Sequence, residues 1–183
     1  LNLTRARIIA VCVVIAAITV VVVLSTRERS ERLLVDEAAV EDIGAGVQSV
    51  ILSFASRGGG RTVEERREIV VPEDSASRAK RVLEELASGP RGDADGTIPV
   101  GTRVLRVFFD DQGGVYVDMS AEFIDNHPGG STGELYTIRS IVRTLALNFS
   151  DVERVFLLVE GEEIETIAGH IDASVPFSVS EYR

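Results

Sequence analysis

The sequence predicts a mixed α+β domain carried behind an N-terminal transmembrane helix. Three observations lead there: an uncharged apolar run near the start, a series of short alternating segments from residue 47 onward that read as strands, and two amphipathic segments at helical spacing set between them. In order, the folded part reads strand–strand–helix twice and then strand–strand. That order gives a two-layer domain with the helices packed on a sheet. A chain of 183 residues suits one domain of ordinary size plus an appendage.

The appendage comes first. Ile8 to Leu24, IIAVCVVIAAITVVVVL, is a run of 17 residues without a charge. As a helix it spans about 25 Å, near the short end for crossing a bilayer core. In water it would expose apolar surface on every face, which an amphipathic core helix avoids. A cleaved signal peptide is the rival. The run is longer than a usual signal core, and Val22-Val23-Leu24-Ser25-Thr26-Arg27 has no small-x-small cleavage pattern. Cys12 follows Ile9-Ala10-Val11 and is read as a small apolar residue of the helix, not a lipid-bearing one. Arg5 and Arg7 precede the span and Arg27, Arg29 and Arg32 follow it, so cation counting leaves the orientation open. Glu28 and Glu31 among the trailing arginines, and the very short leading tail, favour the bulk of the chain outside the cell. The expected organisation is an anchor with its tail over 1–25, a charged linker over 26–46, the folded domain over 47–177 and a C-terminal tail over 178–183.

The folded part opens with Val50, Leu52 and Phe54 alternating with Ser49, Ile51 and Ser53, a half-buried strand. Arg57-Gly58-Gly59-Gly60-Arg61 turns the chain into a second strand ending at Ile69-Val70-Val71-Pro72. Glu73-Asp74-Ser75 offers capping oxygens, and Ala79, Val82, Leu83 and Leu86 fall on one face of the first helix, which Gly89-Pro90 ends. Thr102 to Phe109 and Val115 to Met119 form a hairpin around Gln112-Gly113-Gly114. Leu135, Ile138, Val142, Leu145 and Phe149 make one stripe of the second helix. Val155 to Val159 is continuously apolar, as in a central strand buried on both faces, and Ile164 to Ile167 returns as its partner. The openings VILSF, VLRVFF and VERVFLLV are alike in texture, which suggests a duplicated unit.

Composition narrows the chemistry. Hydrophobic residues make up 45% of the chain, too many for disorder throughout. After residue 24 there are 17 basic and 29 acidic side chains, so nucleic acid is not an expected partner and an anionic lipid surface would repel the domain. One cysteine allows no internal disulfide, and two histidines leave few options for acid–base or metal chemistry. The most tempting motif is Gly129-Gly130-Ser131-Thr132-Gly133, a G-x-S-x-G pattern with Asp151 and His170 following in hydrolase order. A nucleophile elbow needs a strand running straight into the turn, and Asp125-Asn126-His127-Pro128 is a loop. A capping box formed by Ser131 and Glu134 is the simpler reading. Asp93 and Asp95 lack the remaining ligands of a calcium loop and read as a solvated turn. Asp118 and Glu122 read as an exposed strand end. His127 reads as a surface residue, and His170 as structural, its ring donating to backbone or to Asp172. The expectation is therefore no catalytic residue, no metal ligand and no cofactor.

These motifs also fall in a recognisable order: Leu86-Ala87-Ser88-Gly89-Pro90, Ile98-Pro99-Val100-Gly101-Thr102, Val117-Asp118-Met119-Ser120-Ala121-Glu122-Phe123, Gly130-Ser131 with Glu134, Ile141-Val142-Arg143-Thr144-Leu145, Val159-Glu160-Gly161, Gly169-His170 and Pro176-Phe177. The series resembles the GerMN domain, the sporulation and spore germination family, over about Val47 to Phe177. The resemblance implies an extracytoplasmic α/β module without known catalytic residues, used in assembly and related in shape to ring-building domains of envelope complexes. The sporulation protein of the family carries two tandem copies; one is visible here, and its tether is a helix. Read physically, Thr144 is a poor helix former at mid-helix, which a buried or partner-facing position explains.

The function expected from sequence is a single-pass, membrane-anchored module that binds an envelope protein or a cell-wall component. The alternatives are a wall or ester hydrolase using Ser131 and a homo-oligomeric, ring-type structural element.

Overall fold

The computed structural model describes residues 46–182. The candidate span over 8–24 and the linker to residue 45 lie outside the described residues.

Strand β1 (Gly46–Ser56) and strand β2 (Thr62–Val71) pair antiparallel around the glycine turn. Val50, Leu52 and Phe54 of β1 point inward with Ile69 and Val71 of β2. Helix α1 (Ser75–Ala87) follows, with Asp74 accepting the Ser77 N–H at 2.8 Å as its N-cap. Its buried stripe is Ala79, Val82, Leu83 and Leu86, as the spacing predicts. Beyond its end, Gly89 adopts φ 84°, a conformation open to glycine. A short strand β3 (Ala94–Asp95) then pairs with the end of β1.

Strands β4 (Val104–Phe109) and β5 (Gly114–Met119) form the second hairpin. Asp110 Oδ1 accepts the N–H groups of Gln112 and Gly114 at 2.8 and 2.6 Å and sets its turn. A single helical turn α2 (Glu122–Asp125) and the long helix α3 (Ser131–Asn148) lead to β6 (Arg154–Val159), which lies parallel to β5. Strands β7 (Glu162–Glu163) and β8 (Phe177–Ser178) and the turn α4 (Val179–Tyr182) complete the described chain.

The order of two strand–strand–helix units stands, but the layering differs from the single sheet expected. The strands divide into a three-stranded sheet β2-β1-β3 and a five-stranded sheet β4-β5-β6-β7 with β8 also on β6. One core joins them: Leu52, Phe54, Leu83, Met119, Phe123, Ile138, Ile141 and Leu145 are all at most 1% exposed.

Two strand expectations need correction. The return of Ile164 to Ile167 is not a strand; the ladder stops at Glu163. The free edge of β6 is shared, with β7 against Leu158 and Val159 and β8 against Arg154 and Val155. The amides of Ile167 and Ala168 turn instead to a side chain, Glu134. Strand β6 is also not buried on both faces. Val155, Leu157 and Val159 face the core, while Phe156 and Leu158 are half-buried on the other side. The chain stays packed past residue 177: Val179 is 2% exposed, and the rings of Phe177 and Tyr182 meet edge-on at 6.0 Å.

Candidate functional site

The residues that a hydrolase would need are not brought together. Ser131 opens α3 on an exposed turn, and its hydroxyl makes no hydrogen bond among the described residues. Asp151 lies beyond the other end of α3, so the 18-residue helix alone separates it from Ser131 by about 27 Å. The capping box does not form either. Gly130 is the N-cap, without a side chain to offer, and the Glu134 N–H bonds the Gly130 carbonyl in the ordinary helical way at 3.0 Å.

Glu134 is instead buried and turned outward from its helix toward the 164–173 loop. Its Oε1 accepts the N–H groups of Ile167 and Ala168 at 2.9 and 3.0 Å, and Oε2 accepts that of His170 at 3.0 Å. The His170 ring, not expected to meet this residue, has Nδ1 at 3.3 Å from Oε2; Asp172 is occupied by Ser174. Burial raises the Glu134 pKa, but the amides of Ala168, Ile167, Ile171 and His170 outweigh it and hold the carboxyl below its ordinary value. One carboxylate thus organises a loop with no ladder of its own.

Three more polar residues of α3 do similar work. Thr144 is fully buried and its Oγ1 accepts the Ser53 N–H at 3.0 Å, which explains a threonine at mid-helix. Asn148 accepts the Ile51 N–H at 3.0 Å and donates to the Ile51 carbonyl at 2.7 Å, closing the edge of β1 that β3 leaves uncovered. Thr137 donates to the Thr97 carbonyl at 2.6 Å.

That last bond fixes the role of His127. Because Thr137 gives its proton to Thr97, the 3.1 Å contact between Thr137 Oγ1 and His127 Nε2 requires the proton on Nε2. Nδ1 then accepts the Gly129 N–H at 3.0 Å. Both nitrogens are committed, so the ring is a tie and not a surface residue or a base. Desolvation pushes its pKa down, with Glu134 opposing. The tie forms one wall of a cleft of about 480 Å³ lined also by Ile98, Pro99, Tyr136 and the Gly58-Gly59 turn.

The carboxylate pairs resolve the same way. Asp118 is buried, not exposed, and accepts from Arg106 Nε and Nη2 at 3.0 and 2.8 Å and from the Gly161 N–H at 2.8 Å. Ser120 beside Glu122 holds that carboxyl below its usual range. Asp95 accepts the Gly58 N–H at 2.9 Å, and Asp93 pairs with Arg57 in solvent. Among the described residues no group of three or more His, Cys, Asp or Glu side chains converges as a metal site would require.

What remains uncommitted is a surface. On the outer face of the five-stranded sheet, Phe108, Tyr116 and Phe156 sit opposite one another across β4, β5 and β6. The rings of Tyr116 and Phe156 stack at 4.3 Å and 6°, Arg154 lies 6.0 Å over Phe156, and Phe108 is 51% exposed. No sequence pattern had marked this row. The signal lay in Val155 to Val159, whose continuity hid its alternation.

The sporulation and spore germination family (Germane) matches residues 51–165 of the chain. Similar solved structures are the tandem GerMN domains of the sporulation protein GerM from Bacillus subtilis, at 23% identity and TM-score 0.58, covering 74% of this chain and 48% of that one. The first GerMN domain of the same protein aligns at 25% identity and TM-score 0.58 over 72% of this chain and 97% of its own. A putative lipoprotein from Clostridium perfringens aligns at 21% and 0.53 over 74% and 90%. The chain therefore spans about half the length of the tandem structure. No curated protein matches it in sequence.

Proposed function

The chain belongs to the sporulation and spore germination (GerMN) family, and from that premise we propose that it is a membrane-anchored, extracytoplasmic module that binds or assembles with another component of the cell envelope and performs no catalysis. The observation that carries this reading is the division of its side chains. Four buried polar groups that chemistry could have used, Glu134, Thr137, Thr144 and Asp118, are each bonded to a backbone group or an ion partner of the fold. Phe108, Tyr116 and Phe156 lie instead on the outer face of the five-stranded sheet, with Phe108 half exposed. Aromatic and arginine side chains on an exposed face suit recognition by contact. The partner is an envelope protein or a cell-wall polymer, and the kinship with sporulation and germination proteins supports a role there in hosts that form spores.

The anchor in this proposal is the apolar run over 8–24, with the acidic domain standing off the bilayer outside the cell. Alkaline extraction of membranes tests it: the chain is expected to stay in the pellet, and release into the supernatant contradicts anchoring.

For the binding role, a photoreactive residue at Tyr116 or Phe156 is expected to capture an envelope component in intact cells, and one at Ser131 is not. Hydrolysis of wall fragments or simple esters, measured for the parent and for Ser131→Ala, is expected to be absent in both. A large activity that depends on Ser131 overturns the reading.

A further inference from the structure

We propose that the cavity between β1, α1 and the end of α3 is a carboxylate-binding site, in which Arg66 and Arg78 hold an acidic side chain of an extended peptide segment from a partner protein. This goes beyond the reading above: the site shares no residue with the aromatic row and holds whether or not that row is a contact surface.

The cavity has a volume of about 150 Å³, which suits one side chain. Its walls carry Gln48, Ser49, Asn148, Arg66 and Arg78, and no aspartate or glutamate. That reverses the balance of a chain in which, after residue 24, 29 acidic side chains stand against 17 basic ones. Arg78 is the central group. Its guanidinium lies 5.0 Å over the ring of Phe149, which is 7% exposed and packs on Phe109 at 5.6 Å. Stacking fixes the guanidinium while leaving its N–H groups unspent. None of them meets an acceptor among the described residues, and Nε is buried. Arg67 and Arg143, by contrast, are spent within the fold: Arg67 on Glu65, Glu85 and the Gly89 carbonyl, Arg143 on Glu64 and the Tyr182 carbonyl. Arg66 enters the cavity from β2, opposite Ile51 in register, and it too has no ion pair among the described residues. A half-buried guanidinium held by packing, with every donor free, calls for an oxyanion.

The strand edge beside the cavity selects a peptide as the carrier. Asn148 holds both backbone groups of Ile51, and Thr144 holds the N–H of Ser53, so these odd-numbered residues of β1 turn their backbone away from β2. Ser49 is the next of them. It is exposed, and α3 ends at Asn148, one step short of it. The N–H and carbonyl of Ser49 meet no partner among the described residues and open beside the two arginines. An extended peptide can set its backbone on Ser49 and an acidic side chain in the cavity. A phosphate polymer is the poorer occupant. The two cations form one isolated pair on an acidic domain, which repels a chain of anions along the rest of its length.

The test titrates the isotope-labelled full chain in detergent with two short peptides, acetyl-Val-Glu-Val-amide and acetyl-Val-Gln-Val-amide, and follows the Arg78 side-chain N–H and the Ser49 amide by NMR. Both signals are expected to move together and saturate with the glutamate peptide, which binds about tenfold or more tighter than the glutamine peptide. This comparison on the parent decides without any variant. Arg78→Gln is expected to abolish the difference between the peptides. Arg103→Gln, which takes the same charge from an exposed arginine outside the cavity, is expected to keep it. Equal affinities for the two peptides, no saturable shift with either, or the same loss from both variants overturns the proposal. Inorganic phosphate that moves the Arg78 signal as readily as the glutamate peptide overturns the assignment to a peptide. No residue of the aromatic row is altered, so failure here leaves the reading of that row standing.

Discussion

Helix α3 and the outer face of the five-stranded sheet reverse the usual distribution of residue types. The helix buries a carboxylate, two threonines, a serine and most of an asparagine. The sheet turns a row of aromatic rings toward solvent. Four of these groups answer backbone groups that no ladder reaches: Glu134 the 167–170 loop, Thr137 the carbonyl of Thr97, Thr144 and Asn148 the open edge of β1. The rings meet one another and Arg154 and hold no backbone group. The difference separates side chains spent on holding the fold from side chains left for contact, and each region is expected to respond differently to the same kind of substitution.

The largest effect is expected at Glu134. Glu134→Ala leaves several buried N–H groups without an acceptor and is expected to cost about 3–5 kcal/mol of stability, read from the denaturation midpoint. A loss under about 1 kcal/mol would break the contrast at its strongest point. The same carboxylate sets an acid limb. Its folded pKa is below the unfolded value, so its contribution is full above that unfolded value and is lost as pH falls through the folded one. Glu134→Gln is expected to flatten that limb.

Asn148→Leu is expected to cost about 2–3 kcal/mol, since both the N–H and the carbonyl of Ile51 lose their partner. Thr144→Val, which keeps shape and removes one acceptor, is expected to cost about 1–2 kcal/mol. His127 gives a smaller, pH-dependent term. Its folded pKa lies below the unfolded value, so its tie is intact above the unfolded pKa and weakens as pH falls toward the folded one. A proton on Nδ1 would face the Gly129 N–H. The Gly129 amide is expected to shift with the His127 titration by NMR, and an amide indifferent to pH would remove the tie. On the sheet, Phe108→Ser is expected to change stability by no more than about 0.5–1 kcal/mol, because half the ring is already in water. A large loss there would mean the row holds the fold after all.

Much of the core was legible in the sequence. The alternation at Val50, Leu52 and Phe54 and the helical stripe at Ala79, Val82, Leu83 and Leu86 report burial directly, since each element has one wet face. The polar stripe of α3 was not legible, except for Thr144. Its partners are backbone groups up to 97 residues away, and polar residues at helical spacing look the same whether they meet water or an amide. Ser131 and Glu134 carry a capping-box pattern that the fold spends otherwise, because Gly130 takes the cap and the 164–173 loop needs an acceptor. The aromatic row stayed hidden for a topological reason. Phe156 joins Phe108 and Tyr116 only when β6 lies parallel to β5, and no local pattern specifies that pairing.

The most direct measurement is hydroxyl-radical footprinting of the full chain in its native membranes, compared with the same chain purified in detergent. Loss of reactivity in the membrane sample at Phe108, Tyr116 and Phe156, with Tyr136 and His127 of the cleft unchanged, is the expected result. Protection of Tyr136 and His127 with the three sheet residues still reactive would contradict it and move the working surface to the cleft.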